Sequence, residues 1–393
     1  MHVFFSVGEP SGDHHAAHLI QELRRRQPNL RASGFGGPLM EQAGLESLFR
    51  LTDLAVMGIG AVIPQLRKFF RLRDQAAEFL QRERPDLCVL IDYPGFNWHI
   101  AAAAKQAGVE VVYYCPPQLW AWGTWRLRKL RRTVDRVLSV LPFEAEWYRE
   151  RNIPVDFVGH PFFDELSEKT LDADACRALR DASPRRVALL PGSRTHEVHR
   201  NFPVMLDVVR RLARRHPDLR FPVACFRESQ RRFCQNLLDR QPGPLPVDLH
   251  CGRTPEIIDT ADCVLMVSGS VSLEVLARAK PAAVMYRGGL LMGSLAWFLV
   301  HCKYMSLPNL MLDREMMPEF PFMIRAGRHA KRIARTLDGW LSNPEELQAV
   351  ARDMVELRDR VAQPGGIARA AEALLRGRAF AIPDVADEVA RAA

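Results

Sequence analysis

The chain has 393 residues, 48% hydrophobic and 25% charged, with a formal net charge of +8. That length exceeds one ordinary core and favours two domains, and the absence of repeats or low-complexity blocks leaves a globular protein. The basic excess suits an anionic partner, whether nucleotide phosphates, nucleic acid or an acidic membrane surface, without choosing among them.

From the N-terminus, strands are predicted at Val3–Val7, Arg31–Gly36, Leu87–Ile91, Glu110–Cys115, Arg136–Val140 and Asp156–Val158. Helices are predicted between them at Asp13–Arg26, Gly37–Ala43, Ile63–Arg82, Asn97–Ala107 and Glu144–Glu150. Strands separated by helices build parallel βαβ units and a doubly wound sheet. The pattern fades over 165–183 into a polar linker with a helix and restarts at "RRVALLPGSR". Strands follow at Val187–Leu190, Phe221–Cys225, Val247–His250, Cys263–Val267 and Ala282–Tyr286. Their helices are Phe202–His216, Glu228–Arg240, Pro255–Thr260 and Ser270–Arg278. From Gly327 the chain reads as helices, ending in a tail after Pro383. The expected fold is therefore α/β, with two Rossmann-like doubly wound parallel-sheet domains facing a cleft and ligands at the carboxyl ends of both sheets.

The eight cysteines are scattered without a CxxC pair, as buried thiols of a reducing compartment would be. No HExxH and no Cys/His cluster has metal-ligand spacing, so neither a metal nor a cofactor is expected. The first residues lack a signal-peptide pattern, and the longest apolar stretch, Gly288–Val300, is too short to span a bilayer. A cytoplasmic enzyme is expected.

Five segments carry candidate chemistry. In "GEPSGD", Gly8 and Gly12 let backbone come close, while Glu9, Ser11 and Asp13 offer polar groups; a helix cap with a stiffened turn is the plainer reading. In "IDYPGFN", Asp92 stands past a buried strand, where it either takes a proton from a hydroxyl or caps the next helix. In "LLPGSR", Gly192 and Ser193 offer free amides and Arg194 a cationic fork for a diphosphate, or else a bare strand-to-helix turn; no P-loop is present. In "SGSVSLE", Ser268, Gly269 and Ser270 let a phosphate approach and Glu274 suits ribose hydroxyls, unless these are only a cap and an exposed glutamate. Around "WAWGTWRLRKLRR", Trp120 and Trp122 form an aromatic wall beside a basic segment, or core residues before a solvated helix. Separately, Ile63, Leu66, Phe69 and Phe70 among arginines have the spacing of an interfacial helix on an anionic membrane, a pattern that a core-facing helix shares.

Taken in order, "GEPSGD", "LAVMGI", "IDYPGFN", "WAW", "LPFE", "FVGHP", "LLPGSR", "SGSVSLE" and "YMSLPNL" resemble the lipid-A-disaccharide synthase family from the first strand to about residue 320. The resemblance implies an inverting glycosyltransferase of GT-B type. It implies UDP-2,3-diacylglucosamine as donor, 2,3-diacylglucosamine 1-phosphate as acceptor, and a β(1→6) disaccharide 1-phosphate and UDP as products. It places the base on Asp92, with Ser11 and Glu9 beside it and Gly8, Gly12, Asp13, Trp120 and Trp122 lining the acceptor side. The donor falls to Gly192, Ser193, Arg194, Ser268, Gly269, Ser270, Glu274 and Asn309. The implied domains are an acceptor and catalytic domain over 1–165, a donor domain over 184–345, helices over 346–380 packing back towards the first domain, and a tail over 381–393. Peripheral association with an anionic inner-membrane surface is expected, and a homodimer is left open. Two departures stand out: Pro10 replaces the family's usual alanine, and Gly95 stands where a second acid is common. A relative using another UDP-sugar or acceptor, or a non-catalytic UDP-sugar or lipid binder, remains as an alternative. Nucleic acid is not expected as a partner, because no recognition motif is present.

Overall fold

The computed structural model describes residues 1–55, 62–121, 123–288 and 303–376, without the side chains of 55 and 62–66. Met1–Asp164 together with the chain from Pro364 to Arg376 form one compact unit, and Glu165–Gln363 form a second.

The first unit carries strands β1 (His2–Val7), β2 (Arg31–Gly36), β3 (Glu46–Arg50), β4 (Leu87–Ile91), β5 (Glu110–Tyr114), β6 (Arg136–Ser139) and β7 (Val155–Phe157). Their order in the sheet is β3-β2-β1-β4-β5-β6-β7. Every described pairing is parallel. Its helices are α1 (Pro10–Arg26), α2 (Pro38–Gln42), α3 (Thr52–Ala55), α4 (Val62–Glu83), α5 (Pro94–Gln106), α6 (Leu127–Thr133) and α7 (Pro142–Arg149). Helix α8 (Phe162–Glu168) runs across the unit boundary.

The second unit adds α9 (Ala173–Ala182), β8 (Arg185–Leu190), α10 (Thr195–Ala213), β9 (Leu219–Cys225), α11 (Glu228–Asp239), β10 (Val247–Cys251) and α12 (Thr254–Thr260). It continues with β11 (Cys263–Val267), α13 (Val271–Ala277), β12 (Ala282–Arg287), α14 (Leu307–Leu312), β13 (Glu319–Phe322), α15 (Ala326–Ser342) and α16 (Pro344–Val361). The sheet order is β10-β9-β8-β11-β12-β13, again with parallel pairs.

Parallel strands covered on both faces read as apolar runs, and β4 (LCVLI) and β11 (CVLMV) are buried at every residue. In each sheet the strand order reverses once, between β1 and β4 and between β8 and β11. Val7 pairs with Ile91, so the chain leaves the sheet side by side at Gly8 and Asp92. Leu190 pairs with Met266, so the "PGSR" and "SGS" segments also emerge from neighbouring strands. A crevice at the carboxyl ends of strands, where the order reverses, is where such sheets hold ligands.

Several helices begin earlier than the sequence reading placed them. Pro10, Pro94 and Pro142 each occupy the first helical position rather than a preceding turn. There a missing N–H costs nothing and the fixed φ favours the helix. Helix α10 starts at Thr195, not Phe202, and carries Pro203 inside it. Strands β3 and β13 were not expected. They are short edge strands, one mostly exposed and one containing Pro321, and neither has the apolar run of a central strand.

The C-terminal helices divide between the units, unlike the expected return of 346–380 as a block. Met354 and Leu357 of α16 lie in the core of the second unit. The following helix, α17 (Gly366–Arg376), packs on α1 in the first. Asp164 anchors it by accepting hydrogen bonds from the Gly365 N–H and, at 3.0 Å, the Ile367 N–H. Arg369 Nε donates to the Val158 carbonyl at 2.8 Å. Asp164→Ala removes two anchors at once. Hydrogen exchange should then accelerate across 366–376 while β1 stays protected; unchanged exchange in that helix would show that packing on α1 suffices.

Candidate active site

In the first unit the site forms around the turn that follows β4. Asp92 and Tyr93 are consecutive left-handed residues, with φ of 47° and 43°. Such conformations cost non-glycine residues on the order of 1 kcal/mol or more each and persist where surrounding contacts enforce them. The enforcement is visible. The Asp92 carbonyl accepts hydrogen bonds from Asn97 Nδ2 at 2.8 Å and from the Tyr113 hydroxyl at 2.7 Å. Asn97 is fully buried, receives the Ser6 hydroxyl at 2.6 Å and also donates to the Ser6 and Ile91 carbonyls.

The α1 tip completes this half. A β-carbon at Gly8 would lie 2.3 Å from the Tyr93 ring, so no side chain fits there. A β-carbon at Gly12 would meet Val7 Cγ1 at 2.9 Å and Asp92 Oδ2 at 3.7 Å, which places the Asp92 carboxylate over the first turn of α1. Glu9 is the N-cap residue of that helix and Ser11 is exposed in its first turn. Burial pushes the Asp92 carboxyl up to about 6; His15 opposes the shift and Glu9 adds to it. Asp13, by contrast, is buried and turned to structure. It accepts the N–H groups of Gly37 (2.9 Å), Leu39 (3.1 Å) and Met40 (3.1 Å), capping α2, so it presents nothing to the acceptor side where it had been expected.

Trp120 is half-buried. Its indole Nε1 donates to Glu144 Oε1 at 3.0 Å and its ring meets Phe143 edge to face at 4.8 Å. Trp122 lies outside the described residues. Gly95 is exposed, and a β-carbon there would meet nothing within 4 Å.

In the second unit, Gly192 has φ +124°, and a β-carbon on it would stand 2.7 Å from Glu197 Cβ, so only glycine fits. Glu197 Oε2 accepts the Arg194 N–H at 3.1 Å, and its other oxygen pairs with the Arg194 guanidinium at 3.2 Å. The Arg194 side chain is 72% exposed. Gln230, which sequence reasoning missed, ties this loop down. Its Nε2 donates to the Ser193 carbonyl at 2.8 Å while its Oε1 accepts the Phe226 N–H at 2.9 Å.

On the neighbouring strand, Gly269 and Ser270 are exposed, and the Ser268 hydroxyl is taken by the Met305 carbonyl at 2.8 Å. Glu274 is buried, and burial raises its carboxyl despite Arg278 and Lys169. Its Oε1 lies 3.5 Å from Arg278 Nη2 and has no close hydrogen-bond partner among the described residues.

Two expectations are corrected. Asn309 does not line the donor site: it is fully buried, donating to Met317 O and Glu319 Oε1 and accepting from the N–H groups of Met316 and Met317. An amide with all four positions used has none left for a ligand. Phe69 is not a membrane contact either, since its ring packs on Tyr93 and Phe96 at 6.4 and 5.8 Å. Phe70, one position on, is 50% exposed with the Arg73 guanidinium 5.2 Å from its ring centre. The side chains of Ile63 and Leu66 lie outside the described residues, as does the apolar stretch Gly288–Val300 beyond its first residue. Among the described residues no helix is long and apolar enough to cross a membrane.

The family described as Lipid-A-disaccharide synthetase matches residues 3–374. The chain belongs to this family. The lipid-A-disaccharide synthase of Alcanivorax borkumensis is 38% identical over 371 residues, covering 94% of this chain and 96% of the relative. That of Azotobacter vinelandii is 40% identical over 322 residues, covering 81% and 84%. Among solved structures, the glycotransferase of kitacinnamycin superposes with a TM-score of 0.62 at 16% identity, covering 95% of this chain and 98% of that one. The UDP-GlcNAc 2-epimerase of Neisseria meningitidis, bound to UDP-GlcNAc, gives 0.61 at 13% identity, covering 96% and 99%. These two share the GT-B architecture of paired doubly wound sheets. This chain is a glycosyltransferase of lipid A disaccharide formation.

The raised Asp92 carboxyl has a consequence for stability. A folded-state pKa of about 6 against an ordinary 3.8 means that the folded chain holds the Asp92 proton more tightly than the unfolded chain does. The cost to the fold is absent below about pH 4, grows as pH rises and is complete above about pH 6. Asp92→Asn should therefore stabilise the protein by on the order of 2 kcal/mol at neutral pH and by nothing near pH 4. Thermal melts across pH test this; a constant difference would mean that charge burial is not its source.

Proposed function

We propose that this chain transfers the diacylglucosaminyl group of UDP-2,3-diacylglucosamine to the 6-hydroxyl of 2,3-diacylglucosamine 1-phosphate, with Asp92 as general base. The observation that carries this reading is the Asp92 carboxylate, fixed over Gly12 by a strained turn and raised to about 6. A base of that strength is ionised at neutral pH yet basic enough to accept a proton as the hydroxyl attacks. The acceptor oxygen forms a bond to the anomeric carbon, the bond from that carbon to the diphosphate breaks, and UDP leaves with the electron pair. A single displacement inverts the anomeric centre. Ser11 and Glu9, at the α1 tip, would bond substrate hydroxyls, and Trp120 would offer a flat face to the acceptor.

The departing diphosphate gains negative charge, which Arg194 and the backbone N–H groups near Ser193 and Ser270 would stabilise. Glu274 would accept the ribose hydroxyls, a role that suits its oxygen lacking a close donor. The exposed Phe70 beside Arg73 would touch an anionic inner-membrane surface, where both acylated substrates reside.

Release of UDP by the purified chain, requiring both acylated substrates, tests the reaction; release without the acylated acceptor would overturn it. Asp92→Ala should abolish turnover while UDP affinity stays within about twofold, and wild-type kcat should fall below about pH 6. Arg194→Ala should instead weaken UDP binding by about tenfold or more, as loss of a charge-assisted contact does. Phe70→Ser should lower binding to anionic vesicles without lowering the melting temperature; unchanged vesicle binding would remove Phe70 from the membrane contact.

A further inference from the structure

Glu144, the acid of "LPFE", was given no role by the sequence. It lies in the first turn of α7 and is 1% exposed. Its Oε1 accepts the Trp120 indole N–H at 3.0 Å, and its Oε2 lies 2.8 Å from the Ser139 hydroxyl. Ser139 Oγ is also 3.0 Å from the Leu141 carbonyl. A proton on Oε2 lets the chain run from Glu144 to Ser139 to Leu141 with every hydrogen used.

The charges around it point the same way. The Val140 N–H, Ser139 and Trp120 favour the anion, while burial and the Asp92 carboxylate oppose it, and burial is the largest influence. The other titratable groups facing it are Cys115, at the end of β5, and Tyr148 of α7, both of which stay protonated at neutral pH. Among the described residues, the strongest influences on it include no cation. A buried carboxylate without a cation is costly, and a neutral acid is not.

We propose that Glu144 works as a neutral acid, a positioning residue that fixes the Trp120 indole for the acceptor and spares Asp92 a second buried anion. The acceptor part of this rests on the function proposed above. Because the Glu144 carboxyl is pushed up to about 7, its ionisation would also limit activity on the alkaline side.

Glu144→Gln keeps the shape, an oxygen for the indole and an N–H for Ser139. Infrared spectra of the substrate-free protein near pH 6 should show a buried protonated carboxyl in wild type that Glu144→Gln lacks. This readout needs no substrate, so it stands even if the proposed reaction fails. In turnover, Glu144→Gln should stay within about twofold of wild type near pH 6 and lose the alkaline decline. Glu144→Ala and Trp120→Phe should each raise acceptor KM by about tenfold with donor KM unchanged, and the double variant should add little. An absent infrared difference would overturn the proposal. So would a Glu144→Gln variant as impaired as Glu144→Ala, or a Trp120→Phe variant with wild-type acceptor KM.

Discussion

One buried amide ties together the sheet edge of the first unit. Asn97 reaches from α5 to the carbonyls of Ser6, Ile91 and Asp92 and receives the Ser6 hydroxyl, so that β1, β4 and the turn after β4 share a single anchor. The turn it holds would not persist alone, because two successive non-glycine residues in the left-handed region resist it. With the anchor, the Asp92 side chain is delivered to one place, above a glycine whose missing side chain leaves room for it. Burial raises the affinity of that carboxyl for its proton.

The second unit applies the same topology to a different task. Its two corresponding segments also leave neighbouring parallel strands where the order reverses, but they bring a guanidinium and small residues instead of a carboxylate. The anchor there is Gln230, which bridges the ends of β8 and β9 as Asn97 bridges those of β1 and β4. A buried side-chain amide suits both positions because it supplies donors and an acceptor without bringing charge into the core.

Much of this was legible in the sequence. Apolar runs separated by amphipathic stretches marked the central strands, and the glycine-rich segments marked the carboxyl edges. What was missed has identifiable causes. Prolines at 10, 94 and 142 punctuate the chain, and local pattern alone does not separate a turn from the first residue of a helix. Asp13 and Asn309 sit in motifs full of ligand-like residues, yet a polar side chain serves backbone groups as readily as substrates, and only the fold says which. Phe69 and Phe70 are adjacent on α4, about 100° apart around a helix of 3.6 residues per turn, so one packs half-buried on the core and the other is exposed. Gln230 and Glu144 acquire their partners from segments distant in sequence, 37 and 24 residues away, which no short motif encodes.

The contacts of Asp164 bear on how the chain assembles. Residues 164 and 365 are hydrogen-bonded neighbours, so the whole of Glu165–Gln363 is an insertion whose two ends meet at one spot of the first unit. During synthesis the inserted unit emerges complete while the first still lacks α17. The first unit must therefore wait, its α1 face uncovered, until some 200 further residues have been made. Closing so long a loop is entropically cheaper when the insertion has already folded and brought its ends together. The order of assembly is thus written into the connectivity: the inserted unit first, and the last helix as the clasp that completes the other.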